Sequence, residues 1–345
     1  MSADEIEPEQ VWLPASESLL EWTEDFHDLL LRDGLRMDTY RHAVFESVRP
    51  GMVVVDLGTG TGILAQWALQ AGAARVYGIE MNEAILKEAE RRLARAGFSD
   101  RFHPVLGVST EANLPEPADL LVSEILGNLA DNEGCVAILR DARRLLAPEG
   151  QMLPQQVESY LVPVAAEKAH SQILGGQRPG GVDGDSLDAA LRRRGADSRF
   201  DLYYDVVLPV EIQLAAPRLL RAYRFCAEDS DNYQVKLGFL VHKAGSFTGF
   251  KGYFVASLSD HVTLDISGDG AGHGAASESW KHCYLPVKDP VSVRPNDQIT
   301  VYFERSQLMT GEVFRQRYVW QGEVVRDGTV LTRFSQRSRG SYELE

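Results

Sequence analysis

Two glutamates, Glu124 and Glu133, stand nine positions apart in the segment Ser123-Glu-Ile-Leu-Gly-Asn-Leu-Ala-Asp-Asn-Glu133. Neighbouring carboxylates repel each other unless a cation lies between them. A guanidinium group suits that place, because it is planar, permanently charged and able to donate several charge-assisted hydrogen bonds. The Gly127-Asn128 pair allows the loop to reverse and return the second acid to the first. The segment therefore predicts an acidic clamp for a flat cation.

A glycine-rich segment upstream runs from an apolar strand into a turn and then into a helix. Gly58, Gly60 and Gly62 let the backbone approach a ligand where a Cβ atom would collide. A dinucleotide-binding turn would need its third glycine at the next position, which is Ile63 here. The spacing therefore disfavours a dinucleotide.

Two further acids accompany the glycines. Asp56 precedes the turn, where its charge would repel a pyrophosphate and attract an ammonium or sulfonium group. Glu80 lies twenty residues after Gly60, where a carboxylate can accept hydrogen bonds from ribose hydroxyls. This pattern resembles the class I methyltransferases, which implies S-adenosylmethionine as the cofactor and S-adenosylhomocysteine as its product. A nucleotide site of another kind, or a turn without a ligand, is the alternative.

The elements that must position these residues change character near Gly150. Before it, short apolar strands alternate with helical patterns, which indicates a parallel sheet covered by helices. The predicted strands there are Met52–Leu57, Arg75–Ile79, Phe102–Leu106 and Asp119–Val122, and the predicted helices are Ile63–Gln70 and Asn82–Ala96.

After Gly150 the apolar residues alternate with period two, which indicates antiparallel strands. Pro154 is the predicted hinge between the halves, and one short helix is predicted over Ser186–Arg193. The predicted strands are Val157–Val162, Val207–Leu214, Gln234–Val241, Gly252–Ser257, His261–Ile266, Gln298–Phe303 and Arg315–Trp320.

Composition narrows the class of protein further. The 345 residues suffice for two domains of about 150 residues each, and 44% apolar residues can form a sizeable core. The net charge of −15 would repel nucleic acid and anionic lipid, and it favours a cationic substrate. We therefore expect neither nucleic acid nor a membrane among the partners.

The cysteines and histidines predict the compartment and the metal content. Cys135, Cys226 and Cys283 lie far apart without a Cys-x-x-Cys pair, so neither a disulfide framework nor a cysteine zinc site is expected. A reducing, cytoplasmic location follows. The histidines lack metal-ligand spacing, and we expect no metal. The chain shows neither a signal-peptide pattern nor an apolar run of about 18 residues, which predicts a soluble protein.

The double-glutamate segment resembles the corresponding loop of the protein arginine methyltransferases, with the same interval between the acids. A second match, over His27–Arg41, resembles the segment that precedes the first strand in that family. The resemblance extends over about residues 24 to 330. It implies that Glu124 and Glu133 are catalytic and that Arg36 pairs with the carboxylate of the cofactor.

The resemblance also implies the division of the chain. Residues 1–50 would be an N-terminal helical segment covering the cofactor, and residues 51–153 a Rossmann-like domain that binds S-adenosylmethionine. Residues 154–345 would be an antiparallel β-barrel-like domain with an inserted arm at about 170–202. The fold class is thus α/β with a β-barrel, and the arm implies a homodimer.

The chain departs from the family pattern at several positions around the site. The tyrosines of a YFxxY element are missing upstream, and the position that often contacts adenine falls on Thr110 beside Ser109. A barrel loop usually written Thr-His-Trp aligns with Glu278-Ser279-Trp280. Its histidine would pair with Asp33, and Ser279 cannot supply that cation.

Other substitutions concern the substrate pocket. His282 is a candidate replacement for the missing histidine, although its place on a strand would point it to the opposite face. Leu30 and Cys135 stand where many members carry methionines. Together with Asp33, Ser279 and Trp280, these two residues are the candidates for the substrate pocket.

The combined expectation is an S-adenosylmethionine-dependent N-methyltransferase acting on a guanidino nitrogen of arginine. The acceptor would be an arginine-containing protein or peptide, or free L-arginine. One alternative is a small-molecule N- or O-methyltransferase on the same fold. Another is a non-catalytic scaffold that binds S-adenosylmethionine.

Overall fold

The first half of the chain forms a parallel sheet. In the computed structural model, which describes residues 7–14, 31–177, 187–193, 198–268, 277, 279–310 and 313–338, five strands pair in the order β4-β3-β2-β5-β6. Neighbouring strands of this sheet run parallel. The strands are β2 (Val53–Leu57), β3 (Arg75–Glu80), β4 (Phe102–Leu106), β5 (Ala118–Ser123) and β6 (Leu146–Leu153). The four strands predicted for this half are confirmed.

Helices cover this sheet. They are α1 (Gly34–Ser47), α2 (Ile63–Gln70), α3 (Glu83–Arg95) and α4 (Cys135–Ala142), with 3₁₀ turns at Asp131–Glu133 and Arg143–Leu145. The start of α3 shows how the sequence specifies a helix, because the Asn82 side chain accepts hydrogen bonds from the N–H groups of Ala84 and Ile85. Ile85, Ala89 and Leu93 then form the buried stripe that their four-residue spacing predicts.

The second half is built from antiparallel strands in two sheets. A seven-stranded sheet has the order β1-β8-β13-β11-β7-β9, with β12 paired to β11, and a four-stranded sheet has the order β10-β14-β15-β16. The larger sheet contains β1 (Val11–Trp12), β7 (Gln156–Val164), β8 (Tyr204–Val206), β9 (Arg218–Tyr223), β11 (Gly245–Ser257), β12 (Thr263–Asp265) and β13 (His282–Val293). The smaller sheet contains β10 (Tyr233–Leu240), β14 (Gln298–Thr310), β15 (Val313–Arg326) and β16 (Thr329–Arg337).

Aromatic side chains pack the two antiparallel sheets together. Phe247 and Phe250 of β11 lie against Phe334 of β16, with ring centroids 5.7 and 5.9 Å away. Trp320 of β15 is fully buried and donates from its indole N–H to the Pro286 carbonyl over 2.8 Å. The β half therefore has its own core.

Prolines account for two of the errors in the predicted strands of this half; β8, β9 and β16, which contain no proline, were not predicted either. The strand predicted at Val207–Leu214 is wrong: Pro209 begins a 3₁₀ turn at Val210–Ile212 instead. Strand β13 was not predicted, because Pro286 and Pro290 look like strand breakers. The chain tolerates both prolines because the pairing of β13 with β11 is irregular between Val291 and Pro286.

The region of the predicted arm contains two helices, α5 (Glu167–Gly175) and α6 (Leu187–Arg193), the second close to its predicted bounds. His170 of α5 contacts the Val287 carbonyl at 2.9 Å, which ties this helix to the larger sheet. Residues 178–186 and 194–197 lie outside the described ranges, so the arm stays a prediction. None of the helices within the described ranges is long and apolar enough to cross a membrane.

Candidate active site

A cavity of about 540 Å³ opens at the carboxyl ends of β2, β3 and β5. This is where parallel α/β sheets bind ligands. Eight of the sequence-predicted site residues line it: Arg36, Gly58, Gly60, Glu80, Ser109, Thr110, Glu124 and Glu133. The structure therefore brings the glycine turn and the two-glutamate segment to one cavity.

Glu80 fastens the glycine turn to the next strand. Its Oε2 accepts a hydrogen bond from the Gly60 N–H at 3.1 Å, and its Oε1 accepts one from the Asn82 N–H at 2.9 Å. Each carboxylate oxygen has a second lone pair. The side chain can therefore hold the turn and still accept hydrogen bonds from two ligand hydroxyls.

The glycines of the turn serve different purposes. Gly58, Gly60 and Gly62 all have positive φ angles, of 71°, 53° and 83°. Gly58 and Gly60 line the cavity, whereas a Cβ atom on Gly62 would lie 2.7 Å from a methyl carbon of Leu93. Gly62 thus allows α2 to pack closely on α3, and it does not line the cavity.

Asp56 lies behind the turn and does not line the cavity. Its side chain is fully buried, and its Oδ2 accepts hydrogen bonds from the Thr59 hydroxyl at 2.6 Å and the Ala65 N–H at 2.9 Å. Burial raises the pKa of Asp56 to about 7, although these two hydrogen bonds oppose the rise. In this position Asp56 fixes the shape of the turn, and its predicted attraction for a cationic ligand stays a prediction.

The two glutamates share the cavity with a guanidinium from the chain itself. Arg36 forms an ion pair with the Glu124 carboxylate, and its guanidinium lies 5.0 Å from the Trp280 ring centroid. Burial lowers the pKa of Arg36 to about 10, while Tyr40, Asp33 and Glu133 oppose that change. The two acids therefore already face a cation.

Glu133 has an unusual titration. The residue is half-buried, and burial raises its pKa to about 7. The positive charge of Arg36 opposes this rise, and the negative charge of Asp205 adds to it. Glu133 can therefore exchange a proton near neutral pH.

Asp33 positions Arg36. Asp33 caps α1 by accepting a hydrogen bond from the Arg36 N–H at 3.1 Å. Its other oxygen accepts from the Ser277 hydroxyl at 2.5 Å and from the Ser279 hydroxyl and N–H at 2.5 and 2.9 Å. Burial alone would raise the pKa of Asp33, but these hydrogen bonds outweigh it and lower the pKa. Two serines thus hold the carboxylate for which the family pattern supplies a histidine.

His282 does not replace that histidine. The buried ring accepts a hydrogen bond at Nδ1 from the Leu208 N–H at 2.9 Å, and Nε2 contacts the Ile266 carbonyl at 3.0 Å. Burial lowers the pKa of His282 to about 3, and the charge of Lys251 lowers it further. The ring is neutral and supports the β half.

The other substrate-pocket candidates within the described residues lie outside the cavity. Trp280 donates from its indole N–H to the Leu126 carbonyl at 2.8 Å, which joins the barrel loop to the two-glutamate segment. Cys135 is fully buried and its thiol contacts the Ala130 carbonyl at 3.2 Å. Neither residue lines the cavity, and nor do Asp33 and Ser279. Leu30 lies outside the described residues.

Sequence reasoning missed several apolar residues of the cavity. Tyr40, Met81, Ile85 and Ile125 line it, and Met81 is 59% exposed at its rim. Met81 could have been predicted, because it directly follows Glu80, a predicted cofactor-binding residue. Such side chains suit a flat, uncharged ring. Among the described residues, no group of three or more His, Cys, Asp or Glu side chains could hold a metal ion.

Comparisons with known families match both halves of the chain. Residues 54–150 match the model of a family described as a methyltransferase domain, and residues 156–326 match that of the PRMT5 oligomerisation domain. The chain is 37% identical over 148 residues to the protein arginine N-methyltransferase PRMT10 of Oryza sativa subsp. japonica, covering 42% of this chain and 38% of that protein.

The chain belongs to the protein arginine methyltransferase family.

Two longer alignments with relatives cover most of this chain. Protein arginine N-methyltransferase 5 of Xenopus laevis is 26% identical over 306 residues, covering 81% of this chain and 44% of that protein. Histone-arginine methyltransferase CARMER of Anopheles gambiae is 29% identical over 327 residues, covering 92% and 47%. The chain therefore spans less than half the length of these relatives.

Solved structures of the family share the fold. A chain of the Trypanosoma brucei PRMT1 enzyme-prozyme heterotetrameric complex with AdoHcy superposes with a TM-score of 0.76 at 18% identity, covering 92% of this chain and 98% of that one. Arabidopsis thaliana protein arginine methyltransferase 10 gives 0.76 at 19% identity, with the same coverage. The predicted fold class, a Rossmann-like domain followed by an antiparallel β domain, is confirmed.

Proposed function

We propose that the protein is an S-adenosylmethionine-dependent N-methyltransferase that acts on a guanidino nitrogen of arginine. The observation that carries this proposal is that Glu124 and Glu133 line one cavity with the glycine turn and Glu80. An acid pair can thereby lie beside a nucleoside. The names of the relatives, which are arginine methyltransferases, support the same reaction.

The residues of the cavity fit the cofactor. Gly58 and Gly60 give backbone access, and Glu80 has free lone pairs for ribose hydroxyls. The buried Nε of Arg36 has no hydrogen-bond partner within the described residues and can donate to a carboxylate. Ser109 and Thr110, which carry hydroxyl groups, also line the cavity. S-adenosylmethionine, when bound, supplies an electrophilic methyl group.

The two glutamates would bind and orient the acceptor. Glu124 and Glu133 would accept hydrogen bonds from the guanidinium, which concentrates positive charge on the nitrogens they contact and leaves electron density on the attacking nitrogen. Positioning beside the methyl group supplies most of the rate. Transfer of the methyl group would break its bond to sulfur and release S-adenosylhomocysteine. The methylated nitrogen would then be acidic, and Glu133, with a pKa of about 7, can take the proton that it releases.

Replacing either acid by its amide tests the clamp. Glu124→Gln and Glu133→Gln should each lower kcat at least 100-fold, because the amide cannot compensate the charge of the guanidinium. The dissociation constant for S-adenosylhomocysteine, measured by calorimetry, should stay within about threefold for Glu133→Gln. Glu90→Gln, an exposed change on α3, is the matched control. Near-normal turnover in both variants would refute the clamp.

The acceptor arginine can lie in a protein or be the free amino acid. We propose an arginine in a protein or peptide, because the names of the relatives specify proteins or histones, with free L-arginine as the other acceptor to test. Purified protein would be incubated with methyl-labelled S-adenosylmethionine and either an arginine-rich peptide or L-arginine, and the products analysed by mass spectrometry. Methylation of other amines or hydroxyls alone would favour a small-molecule enzyme, and no turnover would favour a scaffold.

We also propose a homodimer in the cytoplasm. The match to an oligomerisation domain supports assembly, and the three free cysteines suit a reducing compartment. Light scattering on purified protein should give twice the chain mass of 38.3 kDa. Fractionation of cells that express the protein would locate it.

A further inference from the structure

A buried polar cluster lies under the two-glutamate segment, outside the cavity. It consists of Asp131, Tyr223, Tyr233, Arg305 and Tyr318, which we call the Asp131 cluster. The Asp131 carboxylate accepts hydrogen bonds from the hydroxyls of Tyr318, Tyr223 and Tyr233 at 2.6, 2.7 and 3.0 Å. The Arg305 Nε lies 3.4 Å from the same carboxylate.

The cluster joins two parts of the protein that are far apart in the sequence. Asp131 belongs to the 3₁₀ turn that ends at Glu133, whereas Arg305 lies on β14 and Tyr318 on β15. The side chains of Asp131 and Arg305 are both fully buried. Buried charges are tolerated only when they are paired and hydrogen-bonded, so these partners fix each other's positions.

The same two strands hold the backbone that leads into Glu133. The Arg305 Nη2 donates to the Asp131 carbonyl at 2.8 Å. The Gln316 side-chain NH₂ donates to the Asn132 carbonyl, also at 2.8 Å. These are the two peptide carbonyls immediately before Glu133. The strands therefore contact the main chain as well as the Asp131 side chain.

Glu124 and Glu133 differ in how they are supported. Glu124 directly follows β5, which is paired on both sides in the parallel sheet. Glu133 ends a single turn that begins after Ala130, a residue with a positive φ of 64°. A single 3₁₀ turn is weak support for a side chain that must be placed closely. The contacts from β14 and β15 supply what the turn lacks.

We propose that Arg305 and Gln316 are positioning residues that set the place of Glu133 opposite Glu124. They act through the backbone of residues 131 and 132 and touch neither the acceptor nor the cofactor. This inference rests on the proposed function, because the placement matters for methyl transfer only if Glu133 binds the acceptor.

Gln316→Glu is the sharpest test. The change keeps the shape of the side chain and places a carboxylate beside Arg305, whose Nη2 lies 3.5 Å from Oε1 of Gln316, so folding is supported. It removes the NH₂ group that donates to the Asn132 carbonyl. The matched control is Gln321→Glu, which makes the same change at an exposed position of the same strand.

Two readouts separate positioning from general stability. In Gln316→Glu, kcat should fall at least tenfold, while the dissociation constant for S-adenosylhomocysteine stays within about twofold. Hydrogen–deuterium exchange should rise at least tenfold for amides of residues 129–136, with little change in β2 and β3. Gln321→Glu should match the unmodified protein in both measurements. Normal kcat and unchanged exchange in folded Gln316→Glu would overturn the proposal.

A second variant covers the case in which Gln316→Glu does not fold. Gln316→Met removes the same donor to the Asn132 carbonyl without burying a new charge. It should produce the same pattern, and an effect on melting temperature alone would count against the proposal. An unmodified protein that methylates no arginine acceptor would overturn the proposed function, whereas the exchange data would still decide whether the strands hold the turn.

Discussion

At the scale of single residues, Glu124 and Glu133 carry the same side chain in different surroundings. Glu124 forms an ion pair with the guanidinium of Arg36. Glu133 is half-buried, faces Arg36 and Asp205, and has a pKa of about 7. Such a difference between two neighbouring acids commonly separates a binding role from a proton-transfer role.

The raised pKa of Glu133 predicts a pH dependence. Below about pH 7 the free protein would carry a protonated Glu133, which lacks the charge that attracts a guanidinium. The value of kcat/KM for the acceptor should therefore rise about tenfold per pH unit up to that point and then level off. Initial rates between about pH 5.5 and about pH 8.5 would measure the profile.

Two variants test whether Glu133 is the group that causes the rise of kcat/KM with pH. Glu133→Gln should remove it together with most of the activity, whereas Asp56→Asn should leave its midpoint in place, although Asp56 also has a pKa of about 7. A midpoint that moves with Asp56→Asn, or a flat profile in the unmodified protein, would show that Glu133 does not control the reaction.

At the scale of elements, the first half of the chain could be predicted closely. Its predicted strands are short apolar runs and α3 has a clear apolar stripe, so that local sequence and buried surface agree in these elements, whereas α1 lacks such a stripe. Agreement fails in the second half where prolines interrupt the pattern: β13 contains two, and Pro209 turns the chain where a strand was predicted. Only the pairing with β11 reveals that β13 tolerates Pro286 at an irregular register.

The close contact between α2 and α3 predicts that a methyl group added at Gly62 destabilises the protein. Gly62→Ala would place Cβ 2.7 Å from Leu93 and 3.0 Å from Ala89, at a φ of 83°. Gly97 has almost the same φ, 81°, but no neighbour within 4 Å of its Cβ position. Gly97→Ala should therefore cost about 1 kcal/mol from backbone conformation alone.

Gly62→Ala should lower the free energy of unfolding by a further 1–3 kcal/mol, roughly the cost of overpacking a core. Urea denaturation of both variants would give the difference. The affinity for S-adenosylhomocysteine should also drop in Gly62→Ala, because the glycine turn shifts when α2 moves. Equal losses in the two variants would mean that the helices can separate without cost.

At the scale of the whole molecule, the net charge of −15 should affect the acceptor. An arginine-rich peptide has several charges that feel this field, whereas free arginine has no net charge beyond its side chain. Raising the salt concentration from about 50 to about 500 mM should increase the KM of the peptide several-fold and that of free arginine much less. Equal salt effects on both KM values would show that only the local acids attract the acceptor.

The candidate site was predictable only in part, and the reason is the distance along the chain. Glu80, Glu124 and the glycines stand at the ends of strands, so their meeting follows from the parallel sheet. The partners of Asp33 and Asp131 come from the β half, up to 246 residues away. No local pattern marks Ser277, Arg305 or Gln316, because each is defined by the tertiary contact that it makes.

The anchoring of the two acids in different sheets has a mechanical consequence. Glu124 directly follows a strand of the parallel sheet, whereas the two residues before Glu133 are hydrogen-bonded to strands β14 and β15 of the other half. A small rotation of one half against the other would therefore change the distance between the Glu124 and Glu133 carboxylates. A substitution in the β half that contacts neither glutamate would thereby change the size of cation that fits between them.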